Sequence, residues 1–343
     1  MYAAVLHDFG DLDSLRWEQV PDPVPGPGEV LLRVRAAAVN RTLDIELIEG
    51  RAGWIPPLPH IPGSEPAGEV VALGPGVDSV EVGARVAVLP SVHCGHCRAC
   101  LLGYSNVCEN GGGLGRDRPG GYAELVAVSA RSLIPIPDWL SFAEGAAIPQ
   151  SFTTAWHLLV TRAQVRPEDT VLVLGAAGGL GIPGIQIAKL YGARVIAVAG
   201  SAEKLRKARE LGADATINHQ THDFADEARR LTDGRGVDVV YENVGAATWE
   251  QSVASLAQRG RLVTCGTHGG AQVGLDLRYF YRTNLTFLGS AGATDADVER
   301  VREHVASGRL RPVVHATFPL SRLADAAACV LNRQNIGKVI VTL

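Results

Sequence analysis

Residues 170 to 198 restrict the fold more than any other stretch of the chain. Thr170-Val171-Leu172-Val173-Leu174 is an unbroken apolar run. A glycine-rich turn, a helix-period stretch from Ile182 to Tyr191 and a second run, Arg194-Val195-Ile196-Ala197-Val198, follow it directly. A strand, tight turn, helix and strand of these lengths make a crossover that places both strands parallel in one sheet. Strands that lack polar alternation belong in a sheet covered on both faces. The rhythm continues through apolar runs at 237–241, 260–264 and 285–288, separated by helical patterns at 202–211 and 249–256. These predict a doubly wound parallel sheet with helices on both faces.

The residues before 151 read differently. Short β-branched runs such as Val30 to Arg35, Gly68 to Leu73 and Ala84 to Val88 alternate with Pro/Gly turns, and no long helical period precedes Ser141. This predicts a mainly β domain. A length of 343 residues suits two such domains. After residue 291 the pattern predicts a helix at 295–307, a helix from Ser321 through Asn332, and a closing strand at 338–342.

Composition removes several function classes. No apolar run approaches the roughly 20 residues of a bilayer span, and Met1 leads into an expected strand rather than a signal peptide, so the cytoplasm is the expected compartment. A net charge of -4 with scattered basic residues carries no footprint for nucleic acid or an anionic membrane.

The turn after the first parallel strand reads Gly175-Ala176-Ala177-Gly178-Gly179-Leu180-Gly181. Glycines between a strand and a helix let backbone N–H groups approach a pyrophosphate at the helix N-terminus. Ala176 occupies the first fingerprint position unless Gly175 takes that role, and an ordinary strand-to-helix turn is the alternative. At the end of the second strand, where an acidic residue would bind the ribose of NAD, stands Ala199, followed by Gly200, Ser201 and Lys204. A small polar loop with a cation favours NADP over NAD; a solvated Lys204 with NAD held by other contacts is the competing reading.

Four of the six cysteines, Cys94, Cys97, Cys100 and Cys108, form a C-x2-C-x2-C-x7-C run. Four thiolates so spaced close a tetrahedron around Zn²⁺ and leave no position for substrate, which predicts one structural zinc per chain. An iron–sulfur cluster and four unligated thiols are the alternatives. Cys265 and Cys329 stand alone in apolar runs and read as small buried hydrophobes.

Together these features resemble the zinc-containing alcohol dehydrogenase family of the medium-chain dehydrogenases/reductases, over nearly the whole chain to its Asn335-Ile336-Gly337-Lys338-Val339 ending. The cysteine run is one family mark. Gly63-Ser64-Glu65-Pro66-Ala67-Gly68 is similar to the family's Gly-His-Glu signature with Ser64 in place of histidine. Asn40-Arg41-Thr42 resembles Cys-Arg-Thr, and Gln150 to Thr154 resembles Cys-x3-Thr. The three catalytic zinc ligands of the family thus correspond to Asn40, Ser64 and Gln150, whose neutral oxygens are poor Zn²⁺ ligands. In this the chain resembles the zinc-independent quinone oxidoreductase branch. The resemblance implies a GroES-like catalytic domain formed by 1–150 and 292–343, and a Rossmann coenzyme domain at 151–291.

It also implies an oxidoreductase in which nicotinamide exchanges a hydride with a small-molecule carbonyl, quinone or activated alkene. Asn40 is expected to donate to the developing oxyanion and Thr42 to relay a proton, with Glu65 as the third catalytic candidate. Arg41, Thr154, the glycine loop from Gly175 to Gly181, Ser201, Lys204, Asn243 and Gly266 are the implied cofactor contacts. Blander roles stay open: Asn40 as a helix cap, Arg41 solvated, Asp44 and Glu65 satisfying loop amides. So do two other functions, a zinc enzyme drawing ligands from Glu65, His60 or His93, and a non-catalytic redox sensor. Relatives extend their sheets across a two-fold axis, so a strand at 285–289 is expected to build a homodimer or homotetramer.

Overall fold

A computed structural model describes residues 1–343. The chain divides into two compact units, residues 1–150 with 312–343, and residues 151–311.

The first unit is built on a seven-stranded sheet. Along it lie Val314–Pro319, Lys338–Thr342, Glu29–Ala38, Glu65–Leu73, Arg85–Val88 and Leu133–Pro135, with Leu125–Ser129 also paired to Glu29–Ala38. Alternate residues of the long central strand, Val30, Leu32 and Val34, point into a core with Val70, Val86, Val126 and Val128, as period-2 patterning requires. Register then fixes a functional geometry. Lys338–Thr342 and Glu65–Leu73 both run antiparallel to Glu29–Ala38, with Ala38 opposite both Ile340 and Glu65. The end of the central strand and the beginnings of its two neighbours therefore share one edge, which brings residues 40, 65 and 338 together. Gly337 turns the chain into its strand at φ 84°, where a Cβ would overlap the Val313 carbonyl; only glycine fits.

The second unit is a six-stranded parallel sheet in the order Ala215–Asn218, Arg194–Ala199, Thr170–Val173, Val237–Glu242, Leu256–Thr264, Thr286–Gly289. In chain order this is 3-2-1-4-5-6, the doubly wound dinucleotide-binding topology. Leu172, Ile196, Val240 and Leu262 are fully enclosed in its core.

Three expected boundaries shift. The second unit ends at 311 rather than 291, because the helix Asp295–Ala306 packs within it: Asp297 takes the His157 ring at 2.7 Å, and the Gln186 side chain exchanges two 2.9 Å bonds with the Arg311 backbone. The strand expected at 260–264 begins at Leu256, with extra residues around Arg259 (φ 63°) bulging from the ladder. Ser321 lies inside a single 3-10 turn, Leu320–Arg322, and the helix proper is Leu323–Leu331.

Candidate functional site

The cysteine run folds into a compact loop around the turn Arg98–Leu101. All four Sγ atoms lie within 4.8 Å of one another, with Cys94 and Cys108 at 3.5 Å and Cys97 and Cys108 at 3.8 Å. A single ion with bonds of about 2.3 Å places tetrahedral ligands roughly 3.8 Å apart, so the four thiols fit one zinc. Backbone N–H groups of Cys94 and Cys97 already point at sulfur, at 3.3 Å each. The His96 backbone leads the bonds that hold the Cys94 thiol down at about 5, and the Cys100 backbone leads those that lower Cys97. Burial pushes Cys100 up to about 12. Of the two lone cysteines, Cys329 is buried as expected, whereas Cys265 is only partly enclosed.

In the second unit, Gly175, Gly178 and Gly181 are the glycines of the loop that the backbone crowds or turns most tightly. Gly175 makes the tight turn at φ 58°, a conformation that glycine adopts without strain. Gly178 lies in the turn, where a Cβ would press the Gly175 carbonyl at 3.1 Å. A Cβ on Gly181 would overlap that carbonyl outright, so the helix Gly181–Leu190 starts hard against the strand end. Gly179 and Leu180 precede that helix, where N–H groups have no intrahelical acceptor. Asn243 donates to the Leu174 carbonyl at 3.1 Å and lies beside Gly175. A side chain on Gly266 would overlap the Asn243 carbonyl. Ser201 caps the helix Ala202–Glu210 by accepting from the Lys204 N–H. The Thr154 hydroxyl is buried without a protein partner, at a cost of about 1–3 kcal/mol if nothing else satisfies it. A cradle that side chains would fill and an orphaned hydroxyl both suit a bound dinucleotide.

The third cluster lies at the shared strand edge of the first unit. The Lys338 ammonium, only 8% exposed, donates to Asn40 Oδ1 at 2.6 Å and to Glu65 Oε2 at 2.8 Å. Asn40 Nδ2 donates to Glu65 Oε2 at 2.8 Å and to Ser64 Oγ at 3.1 Å. Glu65, fully enclosed, accepts the Gln150 backbone N–H at 2.6 Å on its other oxygen. Behind them, Asp44 accepts the backbone N–H groups of Asn40 and Ser64, both at 2.8 Å. Burial pushes the Asp44 carboxyl up to about 6, and it pushes the adjoining Tyr122 phenol well above its usual range. Asp44 reaches this place because residues 41–45 form a π-helical turn, with the Ile45 N–H bonded back to the Asn40 carbonyl at 3.1 Å.

Comparison with known proteins gives the family. The zinc-binding dehydrogenase profile matches residues 179–307, and the alcohol dehydrogenase GroES-like domain profile matches residues 26–138. An acryloyl-coenzyme A reductase of Sulfurisphaera tokodaii is 32% identical over 337 residues, 97% of either chain. An alcohol dehydrogenase of Geobacillus stearothermophilus is 33% identical over 344 residues, 99% of either chain. A crystal structure of an NAD-dependent alcohol dehydrogenase superposes with a TM-score of 0.96 at 40% identity over 100% of both chains. The chain belongs to the zinc-containing alcohol dehydrogenase family. It is an NAD(P)-dependent oxidoreductase with a GroES-like domain and a Rossmann domain.

Within this family frame, the positions corresponding to the catalytic ligands, Asn40, Ser64 and Gln150, do not suit a metal. Their donors are amide and hydroxyl groups, and an ammonium ion lies 2.6 Å from the Asn40 oxygen. His60 joins no cluster that could replace them, since the four cysteines are the only trio or larger group of metal-competent side chains. The expected open donor on Asn40 also changes: both its amide hydrogens are committed, to Ser64 and Glu65. Nor does Asn40 cap the following turn through its side chain. Arg41 is paired with Glu46 at 3.1 Å rather than left to solvent. Lys338 was not among the residues expected at the site, although it is one of only four lysines and directly precedes the apolar run Val339-Ile340-Val341. No helix is long and apolar enough to cross a membrane.

Proposed function

We propose that the chain transfers a hydride from NADPH to an activated alkene or quinone, with no metal at residues 40, 64 and 150 and one structural zinc on Cys94, Cys97, Cys100 and Cys108. The observation that carries this reading is the Lys338 ammonium, bonded to Asn40 and Glu65 beside the positions of the lost ligands. A simple carbonyl reduced to an alkoxide concentrates charge on one oxygen, which a Lewis acid relieves. Hydride addition to a conjugated alkene or quinone spreads the charge over an enolate or phenolate, and ordinary hydrogen-bond donors suffice. The relative from Sulfurisphaera tokodaii is named for an alkene of this kind.

Bound NADPH supplies the hydride. Gly175, Gly178 and Gly181 give the pyrophosphate its approach, and Thr154 meets the nucleotide with its unpaired hydroxyl. Gly200, Ser201 and Lys204 receive the 2′-phosphate, beside His219, whose ring closes on Gly200. Thr42, half-buried on the π-helical turn, carries the proton to the product oxygen or carbon. The active species is a homodimer or homotetramer.

The test is NADPH oxidation with a panel of enones, unsaturated thioesters, quinones, aldehydes and ketones, run beside NADH and beside metal analysis. Turnover of the conjugated acceptors with one zinc per chain is expected, and Thr42→Val should lower kcat by roughly 10²-fold. Two zinc ions per chain, or turnover confined to simple carbonyls, would defeat the reading. Silence across the whole panel would leave a nucleotide-binding sensor.

A further inference from the structure

Glu242 ends the strand Val237–Glu242 and is fully enclosed, yet the donors it meets are all neutral. One carboxylate oxygen accepts the Val244 and Gly245 N–H groups at 2.9 Å each and the Thr248 hydroxyl at 2.8 Å. The other accepts the Gly245 N–H and the Thr264 hydroxyl, both at 3.0 Å. A buried carboxylate answered by dipoles alone is a costly way to close a turn. What it secures is shape. Gly245 is held at φ 97° at the start of the helix Ala246–Ser255, where a Cβ would overlap the Gly270 carbonyl. The turn so fixed carries a second one. The Gly269 N–H donates to the Val244 carbonyl at 2.6 Å, and the Ala246 and Ala247 N–H groups donate to the carbonyls of Gly270 at 2.9 Å and Gly269 at 3.1 Å. The loops after the neighbouring strands Val237–Glu242 and Leu256–Thr264 therefore form one body, with Glu242 at its root.

The place of that body in the sheet gives it a use. In the order 3-2-1-4-5-6 the winding reverses between Thr170–Val173 and Val237–Glu242, and a dinucleotide crosses there with one mononucleotide over each half of the sheet. The half that includes Ala199 takes the adenosine, so the nicotinamide falls to the loops after the other two strands. We infer that Glu242 is a positioning residue for the nicotinamide: its carboxylate sets, from behind, the shape of both loops that border that half of the coenzyme. Hydride transfer tolerates little displacement of the ring, so a loosened wall lowers rate as well as affinity. The inference rests on the NAD(P) dependence of the chain and not on the acceptor proposed above.

Calorimetric titration tests it without any acceptor, comparing the complete coenzyme, NADPH or NADH, with the same molecule lacking its nicotinamide, 2′-phospho-ADP-ribose or ADP-ribose. Glu242→Gln keeps the shape of the side chain but turns an NH₂ toward donors that now face an oxygen. It should weaken the complete coenzyme by about 10-fold while leaving the truncated one within about twofold. Equal losses for both molecules would mark a merely structural role and overturn the inference, as would unchanged affinity for both. Thr248→Val removes one of the five bonds and leaves the charge, so it should give the same split at about threefold. That variant decides the case in which Glu242→Gln does not fold. A parent protein that bound neither complete coenzyme would overturn the inference as well, whereas failure to turn over any acceptor would defeat only the proposed reaction, because the binding split is read without one.

Discussion

Asp44 is completely enclosed, and burial lifts its carboxyl from 3.8 to about 6 despite two backbone N–H donors that favour the charged form. The sign of the consequence is set by which state holds the proton more tightly. The folded chain does, so between about pH 4 and pH 6 the unfolded chain releases the Asp44 proton first and stability falls as pH rises. Above pH 6 that contribution is lost entirely, and a lift of this size corresponds to roughly 3 kcal/mol. Asp44→Asn removes the titration and adds a pH-independent penalty, since its NH₂ must face one of the two N–H donors. The difference in urea-unfolding free energy between the unsubstituted protein and this variant should therefore shrink by roughly 3 kcal/mol from pH 4 to pH 7. A difference that stays constant with pH would show that Asp44 is not held near 6. Sequence could nominate Asn40 but not its environment. That both its amide hydrogens are taken depends on Ser64 and Glu65, more than twenty residues away, and on a lysine 298 residues along the chain.

At the scale of elements, the cysteine loop has little else to hold it. Its only regular pieces are two short turns, Arg98–Leu101 and Ser105–Val107, and Leu101, Leu102, Tyr104 and Val107 are exposed rather than packed. A loop with so little core would depend on an ion held by its four thiols, since structural zinc sites return binding energy directly to folding. Cys97→Ser is expected to release the zinc, make residues 94–108 susceptible to proteolysis and lower the unfolding temperature by several degrees. If chelation of the unsubstituted protein changes neither cleavage nor melting, the zinc has no structural role. This loop was fully legible because its chemistry is written in contiguous residues. The same holds for the central parallel strands, whose unbroken apolar runs mark burial on both faces. Ala215–Asn218 and Phe224–Arg230 escaped notice for the opposite reason: the strand is short and lies at the sheet edge, with only Ile217 buried, so its burial arises from neighbours rather than from its own pattern. Lys338 was legible as a strand residue and illegible as part of the site, since only the antiparallel register of three distant strands places it there.

At the scale of the whole molecule, the parallel sheet ends on Thr286–Gly289, whose outer side pairs with no other strand of the chain. An open edge with few charges is a template for another strand, and chains normally blunt it with lysine, proline or a covering loop. Here the preceding segment adds apolar surface instead: Val273, Leu275, Leu277 and Tyr281 are all exposed. A second copy related by a two-fold axis satisfies both features at once, continuing the sheet through antiparallel pairing of the two edges while the apolar segments cover each other. Thr286 is exposed at the start of that edge, and Leu277, on the helix Leu277–Thr283 that precedes it in the chain, is 66% exposed, so neither side chain is needed for the fold of a single copy. Thr286→Lys combined with Leu277→Glu should therefore convert the protein to a species of 36.2 kDa by light scattering, with far-ultraviolet dichroism unchanged. The unsubstituted protein should scatter as two or four copies. A single-copy mass for the unsubstituted protein would refute the pairing, and an assembled double variant would place the interface on another face.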